Sequence, residues 1–529
     1  MSAEGCGPGA ADGAVPPEQE GREPFLRGEA SPRNFSADKV ICYSGDCRGQ
    51  PQPNWGTPVN SDSSPPRGAD MDEIAFPVRA GHVLKARSVW IVPTVLGAIL
   101  VVLIAVFYIG SVIDPLAHLH GLPVGLVNRD RGAVVGRQRI SIGERVQHGL
   151  SSSPAVASRL SLTASTLGAA EQTMDRDGLY ATVVIPPNFS ASLFGLAGVP
   201  AGAGAGRPEV VILTNQRAGV EGTSLATGVL QPALAAASRQ IGSQLTALVP
   251  TRATTPVSRA FLADPITVVT VPYRPLPSHS ALGLSDFYIA LLILMCGFLA
   301  GTIVNSAVDA ALGYATTEIG PRWRQRQPVP INRWQTLIVK WVMAAVLTAV
   351  MTALVVLVAV VMLGMDAPHT WLLWLLAWLA AASVAAGTLM LLAVVGAFGQ
   401  LIALIVFVYA GLASAGGTVP LQALPGYLRW LAEIEPLRQI LSGTRAILYF
   451  NAQAAAGLTR AFVAAAAGLV FSLVVAGLVV RWYDRKGFYR INPRTLAYVR
   501  GAVAGYEARP SADSPPTTGS EGNHGESPR

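Results

Sequence analysis

The stretch VWIVPTVLGAILVVLIAVFYIG, residues 89–110, decides the class of this protein. It follows Arg87 and meets no further charge until Asp114. At 1.5 Å rise per residue it reaches about 33 Å, enough to cross a hydrocarbon core of about 30 Å. A cleaved signal peptide fits less well. The apolar core exceeds the usual ~7–15 residues, and no small-x-small cleavage site follows. The expectation is an uncleaved signal anchor.

Five more runs of this kind follow, at roughly 287–306, 337–363, 372–397, 401–417 and 462–480. They crowd together, whereas some 170 residues of mixed composition separate the first from the second. The fold class expected is therefore an α-helical integral membrane protein. It has six transmembrane helices arranged 1+5, with an α/β extracytoplasmic domain between the first and second span. Only 13% of the 529 residues are charged, about half the share in soluble domains. The formal net charge of +7 gathers beside the spans, so it speaks for membrane orientation and against nucleic acid as a partner. The Arg, Ala, Gly and Val bias suggests a bacterial, GC-rich origin.

Charge placement orients the chain. Arg79, Lys85 and Arg87 precede the first run; Arg322, Arg324, Arg326 and Arg333 lie between the second and third; Arg481, Arg485, Lys486 and Arg490 follow the sixth. With six spans all three groups share one side, which the positive-inside rule makes cytoplasmic. Both termini then lie inside a cell membrane, and the large domain outside. Arg429, Arg438, Arg445 and Arg460 break the pattern, partly offset by Glu433 and Glu435.

The domain plan follows. Residues 1–70 are a cytoplasmic tail too poor in large apolar groups to offset chain entropy, hence disordered. Translation starting near Met71 would remove them. Residues 71–111 are the lead and first span, and 112–283 the outer α/β domain. Residues 284–481 are a five-helix bundle with a cytoplasmic loop at 309–336 and an outer amphipathic hairpin at 418–460. Residues 482–529 are a cytoplasmic tail, disordered from about 505. In the outer domain, LPVGLVN (122–128), YATVVIPPNF (180–189), VVILTNQ (210–216) and ITVVTVPY (266–273) read as strands. The Ala-rich stretch 220–248 reads as a long helix.

No catalytic set assembles, so an enzyme is not expected. G-x-S-x-G is absent. His118, His120 and Asp114 stand close together but read as exposed loop residues. Cys6, Cys42 and Cys47 fall in the tail, without a second pair to complete a zinc site, and Cys296 reads as a packing residue. No metal or cofactor is expected. Span interiors lack ionisable groups; Lys340 is placed to snorkel from the cytoplasmic end of the third run, and Asp309 lies just past the second. A self-powered proton antiporter is disfavoured on that ground. The chain also lacks G-x-x-x-x-G-K-[ST], so hydrolysis of ATP through that loop is excluded.

Two features point to packing and docking. Gly297 and Gly301 form a G-x-x-x-G pair suited to close helix approach. Arg322, Trp323, Arg324 and Arg326 form either an interfacial anchor or a docking loop for a cytoplasmic ATPase. In the outer loop, Leu424, Leu428, Leu431 and Ile434 repeat at helical spacing, with Pro425 in the first turn and Pro436 just after. This reads either as an amphipathic helix lying on or dipping into the outer leaflet or as a plain connecting helix packed on the bundle.

DPLAHLHGLPVGLVNRDRGA (114–133) and DGLYATVVIPPNFSASL (177–193) resemble the YhgE/Pip (phage infection protein) family. HSALGLSDFYIALLILMCGFLAG (279–301), continuing through EIGPRWRQRQ (318–327), resembles the fungal nitrosoguanidine-resistance proteins and their actinobacterial membrane relatives, whose shared domain is of unknown function. The topology is similar to that of ABC-type exporter permeases. These resemblances imply six spans, a large outer domain and a role in export or drug resistance; no functional residues transfer with them. The expected function is a permease-like protein exporting an amphipathic or lipid-like compound, energised by a separate ATPase and working as a homodimer in the lipid bilayer. The alternative is a non-transporting receptor or envelope accessory protein acting through the outer domain.

Overall fold

The computed structural model describes residues 84–135, 137–197, 207–248, 256–320, 322–324, 326, 328–488 and 490. The expectations for the first 83 residues, including Cys6, Cys42, Cys47 and a start at Met71, lie outside these residues, as does the tail beyond 490. From Leu84 onward the chain belongs to one compact unit.

The first apolar run forms α1 (Val89–Val112). A sheet-containing region follows, built from β1 (Leu122–Asn128), the hairpin β2 (Ala133–Val135) and β3 (Gln138–Ile140), α2 (Ile142–Ser152), α3 (Pro154–Ala157), β4 (Leu160–Ala164), α4 (Leu167–Met174), β5 (Ala181–Ile185), α5 (Phe189–Leu196), β6 (Glu209–Thr214), α6 (Val220–Leu248), α7 (Pro256–Ala263) and β7 (Thr267–Pro272). Five strands make one sheet in the order β4-β1-β5-β6-β7. Only the β5–β6 pair is antiparallel, with Val183 opposite Ile212. β1 and β5 sit in the middle and are buried almost throughout, which is why they read as continuous apolar runs. Gly125 is required there, because a Cβ would lie 2.7 Å from Thr182 Oγ1 on β5. The turn expected at Asn128-Arg-Asp is fixed by the Asp130 carboxylate, which accepts from the backbone N–H of Gly143 (3.1 Å) and of Ser190 (3.0 Å). One side chain thus joins the starts of α2 and α5. Leu225, Leu230 and Leu234 of α6 lie in the core beside the sheet.

The remaining helices are α8 (Ser285–Ala311), α9 (Arg333–Met362), α10 (Thr370–Val395), α11 (Phe398–Ser414), α12 (Gly426–Ile434), α13 (Pro436–Tyr449) and α14 (Leu458–Arg485), with a small hairpin of β8 (Thr317–Ile319) and β9 (Arg322–Arg324) between α8 and α9. Among the described residues five helices are long and apolar enough to cross a membrane: α1, α8, α9, α10 and α14. The run expected as the fifth span forms the shorter α11. Its Leu404–Ala410 portion is π-helical, and Gly396, at φ 73°, makes the tight turn from α10.

The outer hairpin expected at 418–460 is packed against both the sheet region and the bundle. Leu424 and Leu428, before and within α12, join the core of the sheet region, while Leu437, Ile440, Leu441, Ile447 and Leu448 of α13 join the core of the bundle. Ile434, expected on the apolar face, is instead exposed. α13 packs among α8, α10 and α14 at the sheet-facing end of the bundle. α10 is the central helix, flanked by α8, α9 and α14. α1 stands apart, touching α11 through its last turns, where Tyr427 Oη donates to Val106 O (3.3 Å).

Candidate functional site

Three features stand out, and two of them are polar clusters at opposite ends of α8. The first lies where the sheet region meets the bundle. Pro436 at the first turn starts α13, and the helix carries Arg445 inward among apolar neighbours. Its Nε donates to Asp286 Oδ2 (2.7 Å), at the first turn of α8. Its Nη1 donates to Ala218 O (2.8 Å) in the turn between β6 and α6, and stands 3.7 Å from Asp177 Oδ2. Thr444 Oγ1 donates to Asp286 O (3.2 Å), and Tyr449 Oη shares a hydrogen bond with Ser285 Oγ (2.8 Å). Arg217 of the sheet region reaches back, donating to Tyr449 O (3.1 Å) and, from Nη2, to Pro275 O (2.9 Å). Charge-assisted bonds therefore cross the junction in both directions.

Burial sets the electrostatics. It pushes the Asp177 carboxyl up to about 7; Arg445 opposes the shift and Asp286 adds to it. Burial likewise pushes Tyr180 up to about 12, with the Asp177 charge adding. For Arg445 burial pulls downward, but Asp286, Asp177 and Tyr180 together carry it above the ordinary guanidinium value. The arginine is a permanent cation that fixes where two carboxylates sit. Such a buried pair adds little net stability but makes one geometry specific, because each partner is costly without the other.

The second cluster lies about 35 Å further along α8, at 1.5 Å per residue. Lys340, 4% exposed, donates to Asn305 Oδ1 and contacts Asp309 Oδ1, both at 2.7 Å. Arg490 takes the same Asp309 carboxylate and lies over the Tyr314 ring. The expected snorkelling lysine is thus turned inward, because two oxygen partners on α8 hold it there. Arg333 Nε donates to Phe488 O (2.6 Å), and Asp484 Oδ2 accepts from the Trp334 N–H (3.1 Å). Asn305, Arg333, Lys340 and Arg490, together with apolar residues such as Leu389 and Val480, line a chamber of about 330 Å³ between α8, α9, α10 and α14.

The third feature is an apolar groove of about 580 Å³ on the same α9, α10 and α14. Leu375, Trp378 and Ala382 of α10 form its floor, Trp341 and Ala345 one wall, Phe462 and Leu469 the other. Trp378 Nε1 donates to Ala345 O (2.9 Å), tying wall to floor. Groove and chamber are stacked along the helices: Ala386 lines the groove and Leu389, one turn on, lines the chamber. Between them Leu337, Ala476 and Val480 touch, with Trp334 and Trp341 packed on that contact.

The residues singled out in the sequence fall elsewhere. Gly297 and Gly301 lie on the α8–α10 seam: a Cβ on Gly297 would stand 2.5 Å from Ala381 O, and one on Gly301 2.9 Å from Thr388 Cβ. Arg322, Trp323 and Arg324 form β9, and Arg326 beyond it is exposed. The His118 ring meets Asp114 O (3.0 Å) and the His120 ring meets His118 O (2.6 Å). Cys296 is buried and free. No group of three or more metal-ligating side chains occurs among the described residues. Three of the four arginines that broke the charge pattern have carboxylate partners: Arg438 and Arg460 share Glu433, and Arg445 holds Asp286. The sequence reading missed Asp286 and Arg445 because 159 positions separate them. The available signal was an Asp opening an apolar run and an Arg that breaks the positive-inside pattern.

Among curated proteins none matches this chain. Among solved structures, a domain of a candidate ABC type-2 transporter from Thermotoga maritima MSB8 is similar at 20% identity, covering 31% of this chain and 97% of that one, with a TM-score of 0.21. Residues 94–473 match the family model described as "Protein of unknown function (DUF3533)", and with most of its length matched the chain belongs to that family.

Proposed function

We propose that this protein is a permease-like membrane subunit that moves an amphipathic or lipid-like compound, a drug or an envelope component, with energy from a separate ATPase. The stacking of an apolar groove on a chamber that holds Arg333, Lys340 and Arg490, along α9, α10 and α14, carries this reading. An amphipath needs both environments in series, and the Leu337–Val480 contact with its two tryptophans stands where an apolar tail would meet a polar head. In this reading α11 is the fifth of six spans in chain order, and the α12–α13 hairpin is the outer connection between it and α14. The chamber and both termini then face the cytoplasm, the sheet region lies outside, and Arg322–Arg326 dock the ATPase. A homodimer and kinship with the YhgE/Pip proteins belong to the same proposal.

The test is accumulation of amphipathic dyes and sensitivity to envelope stress in a deletion strain. Deletion should raise both; the wild-type chain should restore them, and Ala382→Trp, which fills the groove floor, should not. Unchanged accumulation and sensitivity on deletion, with no ATPase co-purifying, would remove the support for transport.

A further inference from the structure

Glu435 stands apart from both polar clusters. It sits between α12 and α13, 2% exposed, and its Oε2 accepts from the Leu437 N–H (2.6 Å). Its Oε1 is buried and meets no donor. One turn along α13, the Gln439 Oε1 is also buried without a donor, while its Nε2 is spent on Glu433 O (3.2 Å). A buried carboxylate oxygen with no donor is short of one hydrogen.

The carboxyl is also pressed against α11. A Cβ at Gly411 would lie 2.7 Å from Glu435 Oε1, directly after the π-helical segment. π-Helical segments often mark functional positions. No salt bridge reaches Glu435 among the described residues. α12 and α13 pack against α8, α10, α11 and α14. The charged groups of the hairpin are Arg429, Glu433, Arg438 and Arg445; Glu433 is held by Arg438 and by Arg460 of α14, Arg445 by Asp286 of α8, and Arg429 is exposed.

We propose that Glu435 is a proton-binding site. In the resting protein its Oε1 carries a proton, and the proton leaves to water when the α12–α13 hairpin parts from Gly411. The reverse movement takes a proton from the same side. Burial pushes this carboxyl up to about 8, against the opposing pull of the Leu437 and Arg438 N–H groups, so it is neutral at pH 7. The hairpin thereby becomes responsive to proton concentration. This holds whether or not the chain transports anything, so the two claims fail separately.

The test is infrared spectroscopy and thermal unfolding of the purified full chain between pH 6 and 9. In an Asp177→Asn chain, which removes the other raised carboxyl, a protonated-carboxyl C=O band should be present at about pH 6.5, vanish near pH 9, and be missing once Glu435→Gln is added. The folding equilibrium of the Asp177→Asn chain should weaken by up to about tenfold per pH unit between pH 6 and 8, one proton's worth, and adding Glu435→Gln should flatten that slope. The idea is overturned if the band of the Asp177→Asn chain does not titrate, or if adding Glu435→Gln leaves a folded chain with the same slope. Should the double variant not fold, the band of the Asp177→Asn chain decides alone.

Discussion

Replacing Arg445 with Met keeps the bulk of the side chain and removes its charge. Asp286, 1% exposed, would then be left facing a thioether, and Ala218 O would lose its donor. Removing one partner of a buried ion pair costs about 3–5 kcal/mol, or about two to four powers of ten in the folding equilibrium. Asp177 does not rescue the variant, because it is a second carboxylate at the same place. Asp286→Asn should cost a similar amount by stranding the cation. The double variant should cost clearly less than the sum, with a coupling of about 2 kcal/mol or more, since the two side chains touch at 2.7 Å. Cys296, buried and free, provides the assay: in a chain with Cys6, Cys42 and Cys47 changed to Ser, a thiol-reactive dye reports unfolding of α8. Arg445→Met unfolding within about 0.5 kcal/mol of wild type, or strictly additive single losses, would refute the clamp.

Asp177→Asn tests the same cluster by pH. The folded pKa is raised, so wild type loses stability as pH climbs from about 4 through 7, and the variant should gain on wild type over that window in thermal melts. An unchanged gap would show the carboxyl is not desolvated. Gly297→Val should lower the unfolding midpoint by overpacking the α8–α10 seam, at about 1–3 kcal/mol, whereas Gly228→Val, with nothing near its Cβ position, should not be limited by packing. Lys340→Met should destabilise less than Arg445→Met in the same dye assay, because Arg490 still holds Asp309.

How much of this was legible in the sequence depends on range. The helix read at 220–248 forms as Val220–Leu248, and the strand read at 122–128 as Leu122–Asn128, because local periodicity and burial agree there. β4 escaped notice: LSLTA is exposed along most of its length at a sheet edge and lacks the apolar signature of a central strand. The run at 401–417 looked like its neighbours in composition, but a break at Gly416 (φ 76°) and the hairpin that follows replace its far end. Asp286, Arg445 and Glu435 carry no local signal as partners; only the folded hairpin places them. Scanning span interiors for charge passed over Glu435 because it lies in a connecting segment.

Transport as proposed requires an amphipath to enter the groove between α9 and α14. Photolabelling of the full chain in membranes with a diazirine-bearing fatty acid, mapped by mass spectrometry, tests it most directly. The account predicts label concentrated on Trp341, Trp378, Phe462 and Leu469, and lost in Ala382→Trp. Label spread evenly over the exposed faces of α1 and α14, and indifferent to Ala382→Trp, would contradict it.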